Sequence, residues 1–135
     1  MARTVDEVAT YLAAQSVGTV GTDLFKESLP ATPDACVMVR ETGGASPDPG
    51  FGSTAARFER PALQIIARGA ADDVTGPYDK AWLAWVALMA VNPTTSMSGT
   101  IYHQINPLQN PSLLEVDDND RSLYAVNFLA EKELS

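Results

Sequence analysis

The feature that most constrains the fold is an almost wholly apolar helix, whose residues 81–91 have no polar side chain on any face. Residues 81–91 read Ala-Trp-Leu-Ala-Trp-Val-Ala-Leu-Met-Ala-Val, and Pro77 suits the first turn of the helix that contains them. A helix that is apolar all round is expected to be buried all round. A chain of 135 residues with one other predicted helix covers only one face of it. The sequence therefore predicts that a second subunit covers the other face, with the N-terminal helix or a long loop as the alternative cover.

The two sides of this helix differ in the size of their side chains. The larger ones form a stripe at helical spacing that we expect to pack on the protein's own sheet: Tyr78, Trp82, Trp85, Val86 and Met89. The opposite side carries Leu83, Ala84, Ala87, Leu88 and Val91. We predict that Leu83, Ala87 and Leu88 contact a neighbouring subunit.

The remaining pattern predicts an α+β fold in one domain, residues 1–135. A helix over 4–15 begins with a capping box, in which Thr4 is the N-cap and Glu7 reaches back to it. Strands are predicted over 23–29, 35–41, 58–68, 100–106, 112–116 and 122–131, with the apolar helix between the third and fourth. This order indicates a mainly antiparallel or mixed sheet of about five to six strands, with two helices packed on one face.

Two further segments are predicted to take part in contacts. Pro61 lacks an N–H group, so its strand is expected at a sheet edge or a bulge, and Pro61 and Arg68 become candidates for an oligomer interface. A Gly- and Pro-rich loop at about 42–57 has little drive to fold alone. Its residues Gly43, Gly44, Pro47 and Phe51 are candidates for contact with a partner.

Charge and composition exclude several classes of function. Nine basic residues stand against seventeen acidic ones, a formal net charge of −8, which argues against binding to phosphate backbones or to an anionic membrane surface. The longest apolar run, residues 81–91, is much shorter than the roughly 18 residues of a membrane span. No signal peptide is expected at the N-terminus. The single cysteine, Cys36, excludes an intramolecular disulfide.

No motif predicts catalysis, a metal site or a cofactor. His103 is the single histidine and lacks a nucleophile or an acid motif beside it, and Cys36 suits a small buried side chain. Asp117-Asp118-Asn119-Asp120 lacks the glycine and glutamate positions of a calcium loop and indicates a solvated turn. The protein is therefore not expected to be an enzyme. The alternative is a small ligand-binding or enzymatic domain with a pocket at Trp82, Trp85 and His103.

The chain resembles the minor capsid and tail terminator family of tailed bacteriophages. The resemblance is carried by Glu59-Arg60-Pro61-Ala62-Leu63-Gln64-Ile65-Ile66-Ala67-Arg68-Gly69, followed by Tyr78-Asp79-Lys80-Ala81 at a helix start. Tyr11-Leu12 before Val17-Gly18, the long loop and a late Asn127-Phe128 strand agree with it.

The resemblance implies a structural virion protein without cofactors. It would form a homo-oligomeric ring, usually a hexamer, at the top of the tail of a long-tailed phage, assembled in the host cytoplasm. The implied partners are the major tail tube protein and the head-to-tail connector or stopper protein, with DNA only passing through the lumen. A connector or stopper in the neck is the alternative position.

Overall fold

The computed structural model describes residues 3–48, 58–92 and 95–133. Within these residues, two helices and seven strands follow one another, and their bounds are α1 Thr4–Ala14, β1 Leu24–Lys26, β2 Cys36–Asp48, β3 Phe58–Ala71, α2 Thr75–Met89, β4 Thr95–Met97, β5 Thr100–Pro107, β6 Ser112–Val116 and β7 Arg121–Glu133. The predicted α+β class is confirmed, and β4 is the strand that the sequence pattern did not predict.

The strands form one mixed sheet in the order β1-β2-β3-β7-β5-β4, and β6 also pairs with β7. The β1–β2 pair is parallel and the other pairs are antiparallel. One edge of β7 is shared between two partners, because β6 pairs with its first half and β5 with its second half. The long strands β2, β3 and β7 therefore form the centre, and β6 lies beside the start of β7.

Both helices cover the same face of the sheet. In register across β2, β3 and β7, Val39 lies opposite Ile65 and Ile65 opposite Val126. These side chains are fully buried and share one core with Val8 of α1 and Leu88 of α2. Alternate residues of a strand point to one face, so this row identifies the helix-covered side.

The opposite face has a smaller core under the segment that joins β1 to β2. Met38, Ile66, Leu123 and Ala125 are buried there, and Leu29 packs against them.

Two buried arginines hold this connecting segment in place. Arg68 donates to the carbonyl oxygens of Pro30, Pro33 and Asp34 at 2.6–2.9 Å. Arg121 donates to the carbonyl oxygen of Ala31 at 2.8 Å and also pairs with carboxylates of Asp34 and Asp117. Several directed bonds from each guanidinium compensate for taking the charge out of water.

A buried ionic cluster fastens α1 to the sheet. Lys132 of β7 is 1% exposed and donates to Glu7 Oε1 of α1 at 2.9 Å, and the Tyr102 hydroxyl of β5 donates to the same oxygen at 2.8 Å. Glu59 of β3 lies 3.9 Å from the same ammonium group. Burial, and then the hydrogen bond to Glu7, raises the pKa of the Tyr102 hydroxyl far above its usual range.

This cluster explains why the predicted capping box is wrong. The carboxylate of Glu7 points inward to Lys132 and Tyr102, so it is not available to the first turn of α1. The N-cap residue is Arg3, and no side chain caps it. Glu41 of β2 instead accepts the N–H of Val5 at 3.1 Å. The distant strand β2 thus supplies the hydrogen-bond acceptor for the first turn of α1, which the capping-box pattern had assigned to the helix itself.

Of the two positions predicted for Pro61, a sheet edge or a bulge, the structure shows the bulge, because β3 lies between β2 and β7. The strand tolerates proline because β2 has a register shift between Glu41 and Gly43, next to the Gly44–Pro61 pair. Gly44 has a φ of +119°, and a Cβ there would collide with the carbonyl of Arg60. Only glycine allows the two strands to approach this closely.

The described helices include none long and apolar enough to cross a membrane. The longer one, α2, has 15 residues.

We expect Lys132→Met to destabilise the protein by about 3–5 kcal/mol, because it leaves the Glu7 carboxylate buried without its cation. Urea unfolding followed by circular dichroism measures the free energy of unfolding. Lys26→Met is the matched control: it removes the 2.9 Å ion pair with Asp6, which lies on the surface. Exposed pairs contribute little, so this variant should unfold close to the wild type. Equal losses in the two variants would contradict the role of the buried cluster.

Candidate assembly surface

The side of α2 that packs on the sheet is made of small residues. Ala81 and Ala84 are fully buried, as is Leu88, and Pro77 is buried at the start of the helix. Their spacing of three and four residues places them on one face. Small side chains let the helix lie close to the sheet, so the larger apolar residues are displaced to its flanks and outer side.

The prediction that the stripe of larger side chains packs on the sheet is therefore wrong. Tyr78, Val86 and Met89 are exposed, and Val86 is 58% exposed. Trp82 and Trp85 are half-buried and lie against each other with ring centroids 5.1 Å apart. The tryptophans flank the buried alanine face, whereas the three other residues point to solvent.

Exposed apolar side chains concentrate on two elements. Ten large ones are exposed among the described residues, and nine of these lie on α2 with the residue before it, or on the segment 108–116. We define the α2 surface as Val74, Tyr78, Leu83, Val86 and Met89. We define the β6 surface as Leu108, Leu113, Leu114 and Val116. Concentration of this kind marks an interaction site more often than scattered single residues do.

The two surfaces meet at Tyr124. Its ring lies 5.6 Å from that of Tyr78 on α2, in an edge-on arrangement, and Tyr124 pairs with Leu113 of β6. Cross-strand partners lie side by side on one face of a sheet, so Tyr124 bridges the two groups. From residue 81 to residue 91 the helix carries no charge. An apolar surface thus extends from the outer side of α2 to the edge of the sheet.

The structure divides the predicted interface residues into two groups. Leu83 is 42% exposed and belongs to the α2 surface. Ala87, Leu88, Pro61 and Arg68 are buried within the protein. Arg68 is occupied by three backbone carbonyls, and Leu88 packs in the core. Burial argues against an interface role for these four residues. The interface role of Leu83 stays a prediction.

The first part of the predicted contact loop belongs to β2, which extends to Asp48. Gly43 and Gly44 lie in β2 and pair with Ala62 and Pro61 of β3. Pro47 also falls within β2, and Phe51 lies outside the described residues. The strand continues through the glycines because backbone pairing with β3 needs no side chain. Partner contact by this segment stays a prediction.

None of the three residues proposed for a pocket lines the cavity between β2 and α2. A cavity of about 230 Å³ lies between the start of β2 and the start of α2, and its lining includes Cys36, Asp73 and Lys80 but neither tryptophan nor His103. His103 lies 3.5 Å from Glu133 and against the ring of Phe58, at the far end of β7.

Two of the polar side chains that line this cavity are Lys80 and Cys36. Lys80 donates to the carbonyl oxygen of Val17 at 3.1 Å, so its ammonium group is held by the backbone. Burial raises the pKa of the Cys36 thiol, the reverse of what a nucleophile needs. Over the ranges 3–48, 58–92 and 95–133, no three His, Cys, Asp or Glu residues form a group that could hold a metal ion.

Comparison with known proteins points to phage assembly. The profile of a family described as "Bacteriophage tail terminator protein" matches residues 11–134. No curated protein sequence matches the chain. Among solved structures, a chain of the "Virion of native gene transfer agent (GTA) particle" is similar with a TM-score of 0.62 and 16% identity, over 98% of this chain and 100% of the other. At that identity the likeness shows a shared fold.

Truncation of the two leucines of α2 distinguishes its inner side from its outer side. We expect Leu88→Ala to lower the free energy of unfolding by about 2–5 kcal/mol, because it leaves a cavity in the core. Leu83→Ala, the matched control, should stay within about 0.5 kcal/mol of the wild type, because Leu83 is exposed in the single subunit. Urea unfolding at a low protein concentration measures both. The reverse order would show that the helix packs through its other side.

Proposed function

Because the chain belongs to the bacteriophage tail terminator protein family, we propose that it forms a ring that caps the tail tube and joins it to the head-to-tail connector. It is a structural protein of a phage-like virion, and its position in the tail and its assembly into a ring are what we propose. The ring lies at the head-proximal end of the tail, in the neck of the particle. Its partners are further copies of the chain, the major tail tube protein, and the connector or stopper protein.

The observation that carries the proposal is the exposed apolar surface of α2 and β6 in a protein of this family. Five large apolar side chains of the α2 surface face solvent in the single subunit. Burying apolar area yields roughly 25 cal/mol for each Å², so covering them favours association. A ring buries such a surface on every subunit, because rotation closes the set of contacts.

The charge of the chain suits a ring through which DNA passes. The formal net charge is −8, and the described acidic residues include the turns Asp72-Asp73 and Asp117-Asp118. These two turns are joined by a hydrogen bond from the N–H of Asp72 to the carbonyl oxygen of Asp120. Negative charge near a lumen repels DNA and keeps it from binding as it moves. The ring is proposed to be a hexamer, as the family resemblance implies.

Loss of the protein from the phage should prevent completion of tail assembly. We expect a nonsense mutation in its gene to give tail tubes of irregular length and heads that lack tails, since the tube has no cap and the joint is missing. Negative-stain electron microscopy of the lysate measures both effects, and supply of the wild-type chain in trans should restore joined particles. Tails of normal length that detach from the heads would instead favour a stopper or connector position.

The purified protein should form rings of one size at high concentration. Native mass spectrometry gives the number of subunits, and electron microscopy gives the shape. Val86→Lys places a charge in the α2 surface and should reduce the ring fraction at least tenfold, because desolvating an unpaired ammonium group costs several kcal/mol. Val20→Lys changes an exposed valine outside both surfaces and is the control. A chain that stays monomeric and does not cap tail tubes would refute the proposal.

A further inference from the structure

We propose that the α2 surface of one copy packs against the β6 surface of the next copy, so that the ring closes by head-to-tail contacts between these two elements. This inference rests on the proposed ring and specifies which parts of the chain join its subunits. It assigns a role to β6, a strand that the sequence indicated only as a short sheet element.

The exposed apolar residues of the described chain fall mainly into two groups. A closed ring needs two different surfaces on each subunit, because every copy meets one neighbour on each side. The α2 surface holds five large exposed apolar residues and the β6 surface four, and beyond them the described chain exposes one more, Val20. A second copy is therefore an occupant that supplies an apolar surface to each of the two groups.

The edge strands of the sheet differ in how well they are covered. All five residues of β6 are exposed, and Leu113, Leu114 and Val116 are each about half exposed. An uncovered apolar edge strand is a site for association, and proteins normally protect such edges. The β1 edge is protected, because the N–H of Leu24 donates to Thr19 and its carbonyl oxygen accepts from Gly21. β4 has three residues and contacts α1.

The charge of the chain also favours contact between these two surfaces. Copies that each carry a formal charge of −8 repel one another, so they can associate closely only through surfaces with few acidic groups. α2 has no charge from residue 81 to its end at Met89, while β6 carries the single acid Glu115. Packing this stretch of α2 on β6 brings one acid into the contact, and the exposed acids Asp73 and Asp79 lie beside the start of the helix. Packing β6 on a second β6 brings two acids into one contact.

Cysteine pairs test the contact directly. Leu83, Val86 and Met89 on α2, and Leu113, Leu114 and Val116 on β6, are each replaced by Cys in separate variants. Each helix variant is mixed with each strand variant under ring-forming conditions and oxidised, and disulfides form where Cα atoms lie within about 7 Å. The native Cys36 is 4% exposed, and burial raises its pKa, so it does not compete. Val20→Cys, mixed with each strand variant, is the control.

A head-to-tail contact predicts a specific pattern of products on a denaturing gel. Single-cysteine variants alone stay monomeric, at least one helix–strand mixture gives a covalent dimer, and the Val20→Cys mixtures give none. A chain carrying both cysteines of the productive pair gives a ladder that ends at the ring size found by native mass spectrometry.

Three other outcomes overturn the inference. Dimers from a single-cysteine variant alone would show a symmetric contact of one surface with itself. Rings in which no helix–strand mixture cross-links would show that other surfaces join the subunits, and the ring proposal would survive. Cross-linking of these positions to the tube protein in assembled tails, but not between copies, would identify that protein as the occupant. Absence of rings and of capped tubes would refute the proposed function together with this inference.

Discussion

The close approach of α2 to the sheet is the constraint from which the rest of the surface follows. Ala81 and Ala84 occupy the contact, with Leu88 one turn further along. Because small residues face the sheet, the volume needed to fill the core comes from the strands and from α1. The large apolar side chains of α2 that then remain exposed in a single subunit are Tyr78, Leu83, Val86 and Met89. The same packing that stabilises the fold leaves an apolar helix side in water.

The sequence predicted the elements well and their faces less well. Strong β-branched or apolar runs located β2, β3 and β7, and β6 was predicted with its observed bounds. The orientation of α2 could not be read from its pattern, because a helix that is apolar all round has no polar side to indicate solvent. Side-chain size decided the orientation of α2, because it determines which residues fit between the helix and the sheet.

Other differences between prediction and structure have long-range causes. Glu7 fits a local capping motif, yet it binds Lys132, which is 125 residues away in the chain. Gly43 and Gly44 favour a loop, yet pairing with β3 extends the strand to Asp48. In both cases a residue with a local preference finds a stronger partner in a distant strand, which no short window of sequence contains. The β6 surface was missed because exposure of a short apolar strand depends on what the fold places beside it.

The buried guanidinium and ammonium groups also determine the charge that the molecule presents to its surroundings. Arg68, Arg121 and Lys132 point inward, whereas Glu7 is the one acidic residue buried in the described chain. The solvent-facing charge is therefore more negative than the formal count. Approaching copies repel through this outer charge over a distance of about 10 Å at 0.1 M salt. Ionic strength then controls the rate at which subunits meet, while the fold of each subunit is held by interior pairs that salt screens much less.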